Sequence, residues 1–162
     1  MIRKLLLSII AGLFFSHSYA QINPAPGIAP FEIKLTDGQV YNAANLKKNT
    51  PVILVYFAPD CDHCAAFAKE LMAHYAVIKN KQLLMITYFP LPEVNKFDKQ
   101  YNLSSHPNIK VGTEGNLFIV QKYYGIQRFP FIVLYNRNGK EVKRFIQETP
   151  FQTVLAAFSN LQ

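Results

Sequence analysis

Tryptophan is absent from this chain of 162 residues, and cysteine occurs only twice. Any ring-lined surface therefore rests on the 13 phenylalanines and 9 tyrosines. Two cysteines supply at most half of a four-ligand zinc site. Charge is also sparse, with Asp, Glu, Lys and Arg making up 17% of the residues. The net charge is +7, but the lysines are scattered, "LKKN" being the densest spot. That pattern excludes the clustered basic stripe of a nucleic-acid footprint and describes a solvated surface. Past the N-terminus no apolar run is long enough to span a membrane. Half of the residues are hydrophobic, which excludes a disordered chain and suits one globular domain.

The N-terminus has its own grammar. Arg3 and Lys4 precede the apolar run "LLLSIIAGLFF", and "SHSYA" follows with small residues at Ser18 and Ala20. A basic start, a short apolar middle and a small-x-small exit predict a secretory signal peptide over residues 1–20, cleaved after Ala20. The alternative is an N-terminal anchor, for which the run is short. No cysteine follows it that would take a lipid. Removing Arg3 and Lys4 lowers the formal charge from +7 to +5. Residues 21–30, "QINPAPGIAP", carry three prolines and a glycine and are expected to form an extended leader. The location implied is periplasmic or otherwise extracytoplasmic, with no stable membrane span after cleavage.

Residues 31–162 are expected to form the folded domain. "FEIKLTDGQVY" alternates apolar and polar residues around Asp37-Gly38, a hairpin signal. "NAANLKKN" is a loop or short helical turn. The unbroken apolar run "PVILVYFA" predicts a strand covered on both faces. A helix over 61–78 is expected next, capped by Asp60, with Cys64, Phe67, Ala68, Leu71, Met72 and Tyr75 on its buried stripe. "QLLMITYF" predicts a second buried strand, and Pro92 and Glu93 suit a helix start after it. "LSSHPNIKVGTEG" is expected to be a loop, and "NLFIVQKYYGI" a short helix closing at Gly125. "FPFIVLYNRNGKEVKRFI" predicts a hairpin turning at Asn138-Gly139. Thr149 to Gln152 has the form of a capping box for a last helix. Two buried strands joined by a helix imply a parallel pair, and the closing hairpin makes the sheet mixed. No internal repeat or low-complexity tract is present.

The two cysteines stand in "FAPDCDHCAAF". A disulfide between residues three apart closes too small a loop to staple a fold. Export would place the pair in an oxidising compartment, where disulfides persist, and its place at a helix start points to chemistry. A thiol attacks a disulfide as its thiolate. At a helix start, Cys61 would face unpaired N–H groups and the positive end of the dipole, which favour that anion. Cys64 lies one turn further in, on the buried stripe. Cys61 is thus the expected attacker and Cys64 the resolving residue. Protonated His63 would support the thiolate, and Asp62 would oppose it. Metal binding is the rival chemistry. His74 is rotated off the cysteine stripe, and His106, in a loop, is the remaining candidate ligand. Ala65 after Cys64 excludes the c-type haem attachment pattern. No cofactor and no metal is expected.

"VILVYFAPDCDHC", a buried strand leading into a helix, resembles the active-site segment of the thioredoxin superfamily. "GIQRFPFIVLYNRNGKEV" resembles that superfamily's second signature. "FEIKLTDGQVYNAANLKKNTPVILVYF" resembles the entry to its TlpA/ResA-like extracytoplasmic branch. The resemblance covers about residues 30–160. It implies a thioredoxin-like α/β fold: a mixed central β-sheet flanked by helices, with an N-terminal β-hairpin extension. It implies that Pro130 is a cis-proline beside the cysteines and that Phe129 offers its backbone to an extended substrate. The implied activity is thiol–disulfide exchange with disulfide-bearing protein substrates, mainly as a reductant, with a redox partner to recharge the pair. A DsbA-like oxidant or isomerase and a copper carrier are the alternatives. A peroxidase is disfavoured because "FAPDC" lacks the threonine such enzymes place ahead of their cysteine. The sequence departs from the family at Val55, where thioredoxin carries a buried acid, and at Asp60, where a tryptophan is usual. Glu93 is the candidate to replace that acid.

Overall fold

The computed structural model describes residues 27–162. The expected signal peptide and residues 21–26 of the expected leader lie outside that range. Among the described residues, seven strands form one sheet. They are β1 (Glu32–Leu35), β2 (Val40–Asn42), β3 (Val52–Tyr56), β4 (Gln82–Thr87), β5 (Ile109–Thr113), β6 (Phe131–Tyr135) and β7 (Glu141–Phe145). The helices are α1 (Asp62–Ala73), α2 (Leu91–Tyr101), α3 (Ile119–Tyr124) and α4 (Phe151–Ser159). The spatial order is β2-β1-β5-β4-β3-β6-β7.

β3 and β4 read as continuous apolar runs because they occupy the middle of this order, where both faces are covered. They pair in parallel, Leu54 opposite Leu84, as the intervening helix requires. β5 corrects an expectation: the segment read as a loop contains a strand parallel to β4, Met85 opposite Val111. Its sequence, IKVGT, is short and broken by Lys110 and Gly112. The free edge of β4 and the arrival of β1 on the other side decide its conformation. Gly112 is required there, since a Cβ at that position would lie 2.7 Å from the Lys34 carbonyl oxygen. Both expected hairpins form: β1–β2 turns through Gly38 and β6–β7 through Gly139, each at positive φ.

Strand alternation divides the core in two. Ile53 and Val55 of β3 face a cluster with Cys64, Phe67 and Leu71 of α1, Val94 and Phe97 of α2, and Val154 and Phe158 of α4. Val52, Leu54 and Tyr56 face the opposite cluster with Phe31, Ile33, and Val120 and Tyr124 of α3. Helices thus cover both faces. The end of the expected leader docks on this second side. Ala29 is fully buried and its N–H donates to the Tyr124 hydroxyl at 3.0 Å. The Gly27 carbonyl accepts from Tyr123 at 3.1 Å and from Tyr135 at 3.2 Å.

Three helix boundaries differ from expectation. α1 begins at Asp62 with Cys61, not Asp60, at the cap position, and no side chain caps it. A turn in which the Cys61 N–H donates to the Ala58 carbonyl at 3.2 Å uses up Pro59 and Asp60. α1 also stops at Ala73, and a separate 3-10 turn spans Tyr75–Val77. α4 is capped by Pro150, so the expected Thr149–Gln152 capping box does not form. Among the described residues no helix is long and apolar enough to cross a membrane.

Candidate active site

The site lies where β3 ends. The Phe57 N–H still donates to the Ile86 carbonyl at 3.0 Å, so the ladder carries the chain one residue beyond the strand before it turns into α1. That turn delivers Cys61 to the surface and Cys64 to the interior. Cys61 is partly exposed, and its carbonyl accepts from the Ala65 N–H at 3.0 Å. Its Sγ lies 3.6 Å from the Phe129 carbonyl oxygen, a thiol-to-carbonyl contact spanning 68 residues of sequence. Phe129 precedes β6, and the Phe129–Pro130 peptide is cis. The two expected substrate-contact residues and the first cysteine are therefore brought together.

Cys64 is 1% exposed. Burial pushes its thiol well above the ordinary cysteine range. The neighbouring Cys61 thiol and the Asp60 charge add to that rise, and a hydrogen bond from the Ala58 backbone offsets part of it. Val55, where an acid was missed in the sequence, is fully buried in the same cluster as Cys64. The core strand thus contributes aliphatic side chains, Ile53 and Val55, and no carboxylate to the cluster that holds the second thiol.

Asp62 and His63 are both exposed in the first turn of α1. His63 borders a groove of about 170 Å³ whose walls include Ala66, Phe67, Pro130, Ile132 and Phe151. Glu93 sits exposed in the first turn of α2 and borders a different groove, with Pro59, Asp60, Lys96 and Phe97. It is thus near the turn before Cys61 and not in the packing around Cys64. The two histidines weighed as ligands go elsewhere. His74 Nδ1 lies 2.9 Å from the Glu70 carbonyl oxygen, and the His106 ring stacks on Tyr75 with centroids 3.9 Å apart. Among the described residues no group of three or more His, Cys, Asp or Glu side chains is placed to hold a metal ion.

Two residues at the site were not foreseen. Glu114, in the segment read as a loop, is 5% exposed, and its carboxylate accepts from the Tyr56 hydroxyl at 2.6 Å. The Tyr56 ring in turn lies 5.9 Å from that of Phe129. Glutamate in "GTEG" carries no sequence signal of burial, and Tyr56 looks like one more residue of an apolar strand.

These features define a Cys-x-x-C pair at the junction of a central strand and a helix, faced by a cis-proline loop. The thioredoxin-like domain family matches residues 41–162, and the chain belongs to that family. No curated protein matches the sequence. Solved structures of the same fold do. One is a secreted Mycobacterium tuberculosis disulfide oxidoreductase homologous to E. coli DsbE, at 18% identity and TM-score 0.69. The match covers 82% of this chain and 96% of that one. Another is the exposed lipoprotein thioredoxin Etrx1 of Streptococcus pneumoniae, at 20% identity and TM-score 0.59, covering 82% and 100%. A third is Arabidopsis thaliana ScoI with copper bound, at 16% identity and TM-score 0.64, covering 84% and 97%.

Proposed function

We propose that the mature protein, residues 21–162 after removal of a signal peptide, is an extracytoplasmic thiol–disulfide oxidoreductase acting on protein disulfides. The observation that carries this reading is the asymmetry of the pair: Cys61 is reachable and held against the Phe129 carbonyl, while Cys64 is buried directly behind it. The Cys61 thiolate attacks a client disulfide, forming a mixed disulfide and releasing one client thiolate. Cys64 then gives up its proton to solvent, which returns one to the departing client thiolate, and attacks the Cys61 sulfur of the mixed disulfide. The second client thiolate leaves, and the Cys61–Cys64 disulfide forms. Two electrons have passed to the client, and a dithiol donor must return them.

Burial suits Cys64 to this order. Burial favours the protonated thiol in the free reduced protein, which keeps Cys64 a poor nucleophile toward clients. Phe129 offers its backbone to an extended client segment, and Pro130 forms the floor beside it. Asp62 and His63 lie exposed beside Cys61, where Asp62 opposes a thiolate and protonated His63 supports one, and Glu93 adds a negative charge at the Asp60 groove.

The test is insulin reduction by the reduced protein, followed by equilibration with a ladder of glutathione redox buffers. Turnover with a potential near that of thioredoxin supports the reductant. A potential near that of DsbA reverses the direction and leaves the oxidant. Tight Cu(I) uptake without turnover replaces the reading with a metal carrier, the chemistry that the copper-bound structural neighbour brings to mind.

A further inference from the structure

Glu114 is a carboxylate in a place that ordinarily excludes one. An acid only 5% exposed is destabilising unless its oxygens are satisfied. Here they are. One oxygen accepts from the Tyr56 hydroxyl at 2.6 Å and from the Gln121 N–H at 3.3 Å. The other accepts from the Val120 N–H at 2.7 Å. The Glu114 N–H donates to the Thr87 carbonyl at 2.8 Å, so the residue is also fixed to the end of β4. Glu114 therefore joins the ends of β3 and β4 to the start of α3.

The parity of β3 decides what this acid can serve. Val55 faces the cluster holding Cys64, and Tyr56 faces the other side of the sheet. Glu114 thus lies across the sheet from Cys64 and is not the proton acceptor missing beside it. What it does hold is the Tyr56 ring. Tyr56 pairs with Phe131 in register, two residues past Phe129, and its ring packs against the Phe129 ring at 5.9 Å. Tyr88 meets the same ring at 6.3 Å. Phe129 supplies the carbonyl facing Cys61. Its ring, half-buried at the surface, needs a fixed wall for that carbonyl to be held in one place.

Resting on the oxidoreductase reading above, we propose that Glu114, acting through Tyr56, is a positioning residue: it holds the Phe129 backbone where a polypeptide client pairs with it. The two classes of substrate then part company. A protein disulfide uses the Phe129 backbone as well as the cysteine pair, whereas a small aromatic disulfide uses the cysteine pair without that backbone pairing.

The experiment measures kcat/KM of wild type, Tyr56→Phe and Glu114→Gln with insulin and with 5,5′-dithiobis(2-nitrobenzoate). A hydrogen bond to a buried charge contributes enough that its loss lowers the insulin kcat/KM by about threefold or more, through KM. The rate with the small disulfide falls by a clearly smaller factor, since a shifted Phe129 carbonyl disturbs only one contact to Cys61, whereas a polypeptide client also loses its backbone pairing. Equal losses with both substrates, or no loss with either, overturn the proposal. Tyr56→Phe removes only one hydroxyl and keeps the ring, so it carries the test if Glu114→Gln does not fold. A wild-type protein that reduces neither substrate removes the oxidoreductase reading itself, a result distinct from an even loss in the variants.

Discussion

The burial of Cys64 has a thermodynamic signature that can be measured without any client. Its folded thiol titrates above the ordinary range, because burial disfavours the thiolate. A folded pKa raised above the unfolded one makes the stability contribution fully present below the unfolded pKa. It is lost as pH rises above that value, because only the unfolded chain then releases the proton. With an unfolded thiol near pKa 8.5, the loss at pH 9.5 is RT ln(1 + 10), about 1.4 kcal/mol, provided the folded thiol stays protonated. The assay is urea unfolding of the phosphine-reduced protein at a series of pH values from neutral to about 9.5, with Cys64→Ala as reference. Repeating the comparison in a Cys61→Ala background removes the coupling between the two thiols, and the lysines, common to both proteins, cancel. So do Tyr56, Tyr124 and Tyr135, whose folded hydroxyls are also raised by burial and whose losses begin at higher pH. Wild type should lose stability relative to Cys64→Ala as pH climbs through that window. Parallel curves would show that Cys64 ionises as readily inside the protein as outside it, and the order of attack and resolution argued above would fail.

Two further outcomes follow from the packing. Gly112→Ala places a Cβ 2.7 Å from the Lys34 carbonyl oxygen of β1, a backbone atom that can yield only if the strand shifts, and should cost about 1–3 kcal/mol in denaturant unfolding. The strain should appear first as faster amide exchange in β1. Asp98, 5% exposed, accepts from Thr36 Oγ1 at 2.8 Å and from the Ser104 N–H and Oγ at 2.8 and 2.6 Å. Asp98→Asn turns one of those acceptors into a donor facing other donors, so thermal unfolding should shift down by the equivalent of about 1–3 kcal/mol.

The order of secondary structure was largely legible. The apolar runs of β3 and β4, the Asp-Gly and Asn-Gly turns and the 3–4 spacing after Cys61 each depend on near neighbours in sequence. Local periodicity and turn chemistry therefore carry them. β5 was not legible, because "IKVGT" acquires its strand conformation from β4 and β1, which lie far away in the chain. The capping expectations at Asp60 and Thr149 failed for a related reason. The path of the entering loop, not the residue type, chose the cap.

The candidate site divides in the same way. Two thiols three residues apart at the start of a helix are a local fact, but residues at that spacing share a helix face; their different exposure arises because Cys61 stands at the extended cap position and Cys64 lies in the first turn, packed into the core. The 68-residue span between Cys61 and Phe129, and the carboxylate of Glu114 closing on Tyr56 from 58 residues away, are decided only when the sheet assembles. Only the finished sheet, by alternating sides along β3, gives Val55 to Cys64 and Tyr56 to Glu114. A chain carries its periodicities along its length, but the face on which a buried charge finds its donors exists only once distant strands have paired.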